Sequence, residues 1–361
     1  MIHSFRIDGF RGIRNLSVNN LNFINLIVGD NNSGKTSVLE ALQLLRSPGQ
    51  ISNLFHVARS RDSAISFSGV SLYENVICLF PHSENELAIS VHADVDKKPV
   101  NCYIHGKQSK IMIVPEEMPE NTLQHSEMLG ETEADQFTGS IDYVCGSQKG
   151  STPLKLDTYS KASGVSIDKY NVVRMAYISP SAHLRSNIVS HIIRSDVYKN
   201  ICIAALQLFD PDIIDILQLK STVGVRVVDY LKHKTLGIMP LSSFGDGVKK
   251  VLVLANAIAA AANGVLLIDE VETAIHKKYY DEIFRFLVKA CHAFNVQVFI
   301  TTHSIEAVDG LLATQDYNEQ TVRDDISVIT LKKANGNSYS RVLSGREVAE
   351  NRESFGFEVR L

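Results

Sequence analysis

The chain has 361 residues, 45% of them hydrophobic and 21% charged, the composition of a globular protein able to bury a large core in one elaborate domain or two lobes. A net charge of -4 excludes a protein that is basic all over, although a local nucleic-acid-binding patch stays compatible with it. Five scattered cysteines (Cys78, Cys102, Cys145, Cys202, Cys291) with no C-x-x-C pair argue against a disulfide framework or a zinc site and for a reducing compartment.

Taken in chain order, Ile2 to Val18 reads as a hairpin: His3 to Ile7, a turn around Gly9, then Ile13 to Val18 with alternating apolar positions. No signal-peptide h-region is visible at this end. The run Phe23 to Val28 predicts a buried strand, and Ser37 to Leu45 predicts a helix. From about Ile65 to Ile113 the pattern is β-like, with short strands expected at Val76–Phe80, Leu87–Val91 and Asn101–His105. Residues 111–148 contain no Lys or Arg but hold Glu116, Glu117, Glu120, Glu127, Glu131, Glu133 and Asp135, so an exposed acidic loop is expected there. The pattern turns helical from Ser181 to Leu219. Beyond residue 245 it alternates: helix Val248–Ala262, strand Val265–Ile268, helix Lys277–Ala290, strand Val296–Thr301. That is the βαβ signature of a parallel sheet. The tail, Ile326–Leu331 and Tyr339–Leu343 around Asn335-Gly336-Asn337, predicts a hairpin. The most apolar stretch, Val251 to Ile268, is interrupted by Asn256, Asn263 and Gly264 and reads as buried helix then buried strand. No membrane span is expected, and the cytoplasm is the expected location.

Between the first buried strand and its helix lies Gly29-Asp30-Asn31-Asn32-Ser33-Gly34-Lys35-Thr36, the pattern G-x-x-x-x-G-K-[ST]. Strand, glycine loop and helix start suit a nucleoside triphosphate: loop N–H groups cradle phosphates, and the helix N-terminus faces their charge. The expected ligands are ATP and Mg²⁺. Candidate contacts are Gly29, Asn31, Asn32, Ser33, Gly34, Lys35, Thr36 and Ser37, with Lys35 reaching the β- and γ-phosphates and Thr36 ligating Mg²⁺. Val265 to Ile268 runs into Asp269-Glu270 at the carboxyl end of a strand, where ligands sit in an open α/β sheet. Asp269 is a candidate Mg²⁺ ligand, and Glu270 a candidate base for the attacking water. Val298 to Ile300 ends in Thr301-Thr302-His303-Ser304, and His303 is placed to contact the γ-phosphate or that water. Ser243-Phe244-Gly245-Asp246-Gly247 opens the helix before the Asp-Glu strand. Ser243, Gly245 and Gly247 offer a hydroxyl and free N–H groups as a second anion site. One chain has one P-loop, so a second such site suits a neighbouring subunit's nucleotide.

In this order the elements resemble an ABC-type ATPase, in particular the stand-alone SMC/RecF/OLD group, over about residues 1–50 and 171–310. Phe5 through Arg11-Gly12-Ile13 resembles that group's N-terminal hairpin, Ser243 to Gly247 its signature, Asp269 to His276 its Walker B and D-loop, and His303 its switch histidine. The resemblance implies an α/β fold: an ABC ATPase head with a P-loop parallel-sheet core, an N-terminal antiparallel β subdomain with a β-rich insertion, and a helical lobe. The corresponding divisions are 1–50 and 241–361 for the two parts of the nucleotide-binding lobe, 51–170 for the insertion with its acidic loop, and 171–240 for the helical lobe. It further implies a homodimer or higher oligomer in which two ATPs are sandwiched between heads, with Ser243 and Gly245 facing the partner's γ-phosphate and Glu272 and His276 near the seam. The chain departs from the pattern at Phe244, where transporters usually have Gly. It offers no glutamine-bearing Q-loop, since Tyr177 to Ser181 occupies the expected region, and residues 304–361 carry no module resembling a Toprim nuclease.

Stand-alone ATPases of this shape often serve two-gene anti-phage systems such as Septu or PARIS. The resemblance therefore implies a switch that controls a separate effector, a nuclease or toxin. The alternative is a RecF-like repair ATPase that binds DNA, for which Lys249, Lys250, Arg185 and Arg194 are the candidate basic residues. A third reading is an ATP-binding scaffold with negligible hydrolysis, against which the intact Glu270 argues.

Overall fold

The computed structural model describes residues 1–61, 70–83, 86–113, 132–160, 172–184, 188–220, 227–317, 324–356 and 358–359. Among them the strands form three sheets. The first is antiparallel and six-stranded, in the order β2-β1-β4-β5-β6-β7: β1 is Ile2–Asp8, β2 Leu16–Val18, β4 Leu87–Val95, β5 Lys98–Ile113, β6 Thr132–Cys145 and β7 Gln148–Asp157. The expected N-terminal hairpin is its edge, with Phe5 opposite Val18. The second sheet, in the order β15-β14-β3-β13-β12-β8, holds β3 (Ile24–Gly29), β8 (Met175–Ile178), β12 (Val265–Ile268), β13 (Gln297–Thr301), β14 (Ile326–Ala334) and β15 (Asn337–Ser344). Its strands run parallel except β15, which turns back at Asn335-Gly336 as the tail pattern predicted.

Strands β3, β12 and β13 are buried along their whole length, which is why they read as continuous apolar runs. Side chains still alternate between two cores. Leu26, Val28, Leu266, Ile268, Val298 and Ile300 face one, together with α4 (Asp196–Leu206), α5 (Asp246–Ala260), α6 (Tyr280–Ala293) and α7 (Ile305–Leu312). Ile27, Val265, Leu267 and Phe299 face the other, packed with α1 (Lys35–Gln43) and the antiparallel sheet. Register aligns the carboxyl ends: Ile268 lies opposite both Ile300 and Ile178, and Thr301 opposite Ile27. The loop after each of these strands therefore opens at one edge of the sheet.

Several expectations fail locally. Val76–Phe80 is not a strand: α3 (Leu72–Ile77) starts at a capping box in which Ser71 and Glu74 bond each other's backbone N–H, following α2 (Ile51–Ala58). Residues 213–219 are not helical. They form β9 (Ile213–Lys220), which pairs with β10 (Val227–His233) and, through it, β11 (Gly237–Pro240) in the third sheet. The stretch 171–240 is therefore mixed rather than a helical lobe. Glu133 and Asp135, expected in an acidic loop, lie on β6, where Glu133 pairs with Lys110 across the sheet. Glu116, Glu117, Glu120, Glu127 and Glu131, and likewise Arg185, lie outside the described residues. The five cysteines are all free. No helix among the described residues is long and apolar enough to cross a membrane. The last helix, α8 (Gly345–Phe355), starts at a second capping box, Ser344 with Glu347.

Candidate active site

The P-loop turns where only glycine fits easily. Gly29 has φ 142°, and a Cβ there would lie 2.4 Å from the Leu331 carbonyl oxygen; Gly34, at φ 101°, opens α1. The α1 N-terminus has no side-chain cap. Lys35, 5% exposed, folds back over the loop and donates to the carbonyls of Gly29 (2.7 Å) and Asp30 (2.8 Å). Burial lowers its ammonium below the ordinary value, against the opposing pull of Asp30, Asp269 and Glu270. Ser33 Oγ is buried with no hydrogen-bond partner, an unspent polar group in a loop built to receive oxygens.

Two strands away in the sheet, beyond β13, β12 leads into Asp269 at the same edge. The Thr36 hydroxyl donates to both carboxylate oxygens, at 3.1 and 3.0 Å, and Thr301 donates a third bond at 2.6 Å. Burial raises the Asp269 carboxyl above its usual range, with the two threonine bonds acting the other way. A hydroxyl and a carboxylate brought together in this way form an oxygen donor set of the kind Mg²⁺ takes.

Glu270 follows with φ 47°, a left-handed conformation costly for a non-glycine residue. Its backbone N–H is held by Thr301 Oγ1 at 2.8 Å, and Thr273 donates to its Oε2 at 3.3 Å. β13 ends at Thr301, and Ser304 caps α7 by accepting from the Ala307 N–H, so His303 sits exposed on the short turn between them. Its backbone N–H donates to Glu272 Oε1 at 2.7 Å. Asn32, Gly34, Lys35, Thr36, Ser37, Asp269 and His303 line one cleft of about 450 Å³, with Ser60, Arg61, Tyr177, Ser179, Pro180 and Ser181. This donor set fits a magnesium-bound nucleoside triphosphate: a free helix start, a lysine and a Thr–Asp pair converge on one cleft, and the unspent Ser33 hydroxyl belongs to the same loop.

Ser243 and Gly245 take no part in that cleft. Both are exposed, Ser243 at the end of a 3₁₀ turn and Gly245 as the uncapped N-cap of α5. A Cβ at Gly245 would touch nothing within 4 Å, so no packing within the chain calls for glycine there. Gly247 differs: a Cβ there would lie 3.1 Å from the Phe209 ring, a tight contact, while the Ala274 carbonyl at 3.5 Å is at ordinary contact distance. Glu272, expected near a seam, is partly buried and turned toward His303, whereas His276 is exposed.

Residues 1–171 match the sequence family described as "AAA ATPase domain", and residues 170–309 the family described as "AAA domain, putative AbiEii toxin, Type IV TA system". The chain belongs to the AAA ATPases. An "ATP/GTP phosphatase" of Helicobacter pylori is 26% identical over 354 residues, covering 89% of this chain and 91% of that protein. The uncharacterized protein MJECL11 of Methanocaldococcus jannaschii is 34% identical over 118 residues, 32% of this chain and 98% of that protein. The fold is that of an SMC head: the SMC head solved with the C-terminal winged-helix domain of ScpA superposes with a TM-score of 0.50 at 13% identity, covering 96% of this chain and 99% of that one.

The sequence reading missed residues that complete this ATPase cleft. Glu40 on α1, fully buried, accepts bidentately from Arg61 (2.8 and 2.8 Å) and from the Ser60 hydroxyl (2.9 Å), while Arg11 Nε lies 3.1 Å away. Arg61 also reaches Ser37 at 3.2 Å, which sets a guanidinium at the cleft wall. Its bond to Glu40 is the main cause that raises its pKa. The Tyr177 hydroxyl is pushed upward by burial and then by Asp269. A glutamate flanked by Leu39 and Ala41 in the α1 pattern was the available signal for Glu40; Tyr177 stood at the start of the segment in the expected Q-loop region without an assigned role.

Asp210, Asp212 and His233 bring three potential metal-ligand atoms within 4.8 Å of one another. The histidine tautomer argues against an ion there. Nδ1 accepts from the N–H groups of Thr235 and Leu236, which leaves the proton on Nε2, facing Asp210 at 3.2 Å.

Proposed function

We propose that this AAA ATPase is an ATP-hydrolysing switch whose heads close on one another around two ATP molecules. The observation that carries the proposal is the division of the phosphate-binding parts. Lys35, Thr36, Asp269 and His303 share one cleft, whereas Ser243 and the open Gly245 face outward from another part of the same chain. Two such chains in two-fold arrangement complete each other's sites. In this reading Gly29, Asn31, Asn32, Ser33, Gly34, Lys35 and Ser37 hold the phosphates, and Thr36 and Asp269 hold Mg²⁺, which neutralises phosphate charge when bound. Glu270 takes the proton of the attacking water, and His303 orients the γ-phosphate side of the site. Ser243, Gly245 and Gly247 supply the helix start that binds the neighbour's nucleotide.

The expected location is the cytoplasm, and the expected output is control of a separate effector, a nuclease or toxin, in anti-phage defence. The resemblance to two-gene systems supports that output, as does the toxin–antitoxin description of the family matching 170–309. DNA binding finds less support. Lys250 is fully buried and Lys249 pairs with Asp246 at 3.0 Å, so neither hint on α5 offers a free basic surface.

ATP turnover of the wild type beside Glu270→Gln tests the chemistry. The substitution should lower turnover by at least about 100-fold while nucleotide binding persists. Equal turnover in the two proteins would remove Glu270 from its role. With ATP, Glu270→Gln should also run as a larger species by light scattering than it does without; the same mass in both conditions would remove ATP-driven closure.

A further inference from the structure

The cleft that holds Lys35, Thr36 and Asp269 adjoins a second cavity of about 370 Å³, and Asn32, Gly34, Ser37 and Arg61 line both. What the second cavity adds is cationic: Arg11, Arg14 and Lys333 join Arg61, and no carboxylate lines it. Two hairpins set these charges. The turn after β1 is left-handed at Arg11 (φ 44°) and at Gly12 (φ 79°), and strain of that kind at a non-glycine residue collects at ligand sites. The Arg11 N–H donates to the Leu79 carbonyl at 2.8 Å, which fixes the turn beside the segment that carries Phe80, Pro81 and His82 to the cavity. The tail hairpin of β14 and β15 is bonded to the first one, Ser338 N–H to the Arg14 carbonyl at 3.0 Å. It brings Lys333 Nζ to 3.7 Å from where a Cβ of Gly12 would stand.

The four cations are not equivalent. Arg11 lies 3.1 Å from the buried Glu40, and Arg61 is bonded to that carboxylate twice and reaches Ser37, so these two stand at the junction with the triphosphate cleft. Arg14 and Lys333 belong to the second cavity alone. Both are exposed, and among the described residues neither side chain is paired. Arginine and lysine donate hydrogen bonds and accept none. Guanine presents N7 and O6 as adjacent acceptors that one arginine takes bidentately. Adenine keeps N7 but puts an amino donor where guanine has O6, so it forfeits half of that contact.

We propose that the second cavity takes the sugar and base of the bound nucleotide, and that Arg14, with its guanidinium on N7 and O6, selects guanine, so that GTP is preferred to ATP. Lys333 supplies a further donor beside it, and Phe80, Pro81 and His82 form the wall against which the base lies. The inference rests on the reading above, in which Lys35, Thr36 and Asp269 hold the phosphates. What it adds is the base that those phosphates carry.

The test is displacement of a fluorescent ATP analogue from the full chain, in the presence of Mg²⁺, by ATP, GTP, ITP and 7-deaza-GTP. GTP and ITP share N7 and O6 and should bind at least about 5-fold more tightly than ATP; 7-deaza-GTP lacks N7 and should fall back toward ATP. Arg14→Lys keeps the charge and loses the planar fork. It should bring GTP affinity down to about that of ATP, leave ATP within about twofold, and leave the thermal midpoint unchanged, because Arg14 is exposed. ATP bound as tightly as GTP would overturn the proposal, as would 7-deaza-GTP bound like GTP, or an Arg14→Lys protein that loses both nucleotides equally. Lys35→Ala, run alongside, separates the two levels. An analogue that binds Lys35→Ala as it binds wild type removes the reading of the P-loop; the expected dependence on Lys35 with no preference for GTP removes this inference alone.

Discussion

Single residues in this cleft are held in ways that weaken the fold and suit the chemistry. Lys35 satisfies its ammonium on the carbonyls of Gly29 and Asp30 while remaining at the start of α1. Removing it by Lys35→Ala deletes a charged donor toward phosphate. ATP binding, followed with a fluorescent analogue, should weaken at least about 10-fold; undiminished binding would contradict the assignment of the P-loop. Glu270 is strained at φ 47°, with Thr301 holding its N–H. Lys250 offers the sharpest stability test. Below about pH 8 its ammonium is charged in folded and unfolded chains alike, and the folded chain bears the whole burial cost, about 3 kcal/mol for a fall from 10.5 to about 8. Between those values the folded chain has released the proton and the unfolded chain still holds it, so this residue's contribution to stability improves as pH rises. Desolvation sets that cost, and the carboxylates of Glu272, Asp269 and Glu270 offset part of it. The midpoint advantage expected for Lys250→Met should therefore shrink as pH is raised from about 7 to about 10. An advantage that does not change with pH would assign the cost to packing instead.

At the scale of elements, Glu40 joins three segments: α1, the turn after β1 through Arg11, and the end of α2 through Ser60 and Arg61. Removing one partner from a buried charge cluster costs more than the cluster contributes, because the remaining charges stay desolvated. Glu40→Ala leaves Arg11 and Arg61 facing each other and should cost about 3 to 5 kcal/mol in a denaturant titration; a cost below about 1 kcal/mol would indicate that the arginines rotate to solvent. The parallel-sheet half of the molecule was legible because its signals were local. Buried strands ending at Gly29, Ile268 and Thr301 announced themselves as apolar runs followed by motif residues. The remainder depended on distant partners. Val76 to Phe80 is as apolar as a strand, and only Ser71 and Glu74, spaced as a capping box, mark the helix that forms. Ile213 to Leu219 was misread because its partner strand, β10, lies across residues 221–226 and its burial alternates imperfectly. Glu40 and Lys250 escaped for a related reason: the surroundings of each are set by tertiary contact, and a lysine on an otherwise apolar helix face reads as solvent-exposed until its burial is known.

For the whole molecule, the question is whether each ATP site is shared between chains. The two halves of the proposed site separate cleanly by residue: Lys35 belongs to the cleft, and Ser243 lies exposed outside it. Substituting either one, Lys35→Ala or Ser243→Arg, should reduce turnover by a single chain type to background. Mixing the two inactive proteins discriminates between shared and self-contained sites. In a two-fold dimer, a mixed pair places both defects in one site and leaves the other with an intact P-loop from one chain and an intact helix start from its partner. With random pairing, half of the dimers are mixed and half of their sites are whole, so turnover should recover to about a quarter of wild type. Sites complete within one chain would recover nothing on mixing, however well the variants fold. Recovery that depends on protein concentration would in addition measure how tightly the heads associate, because the active species forms only by pairing.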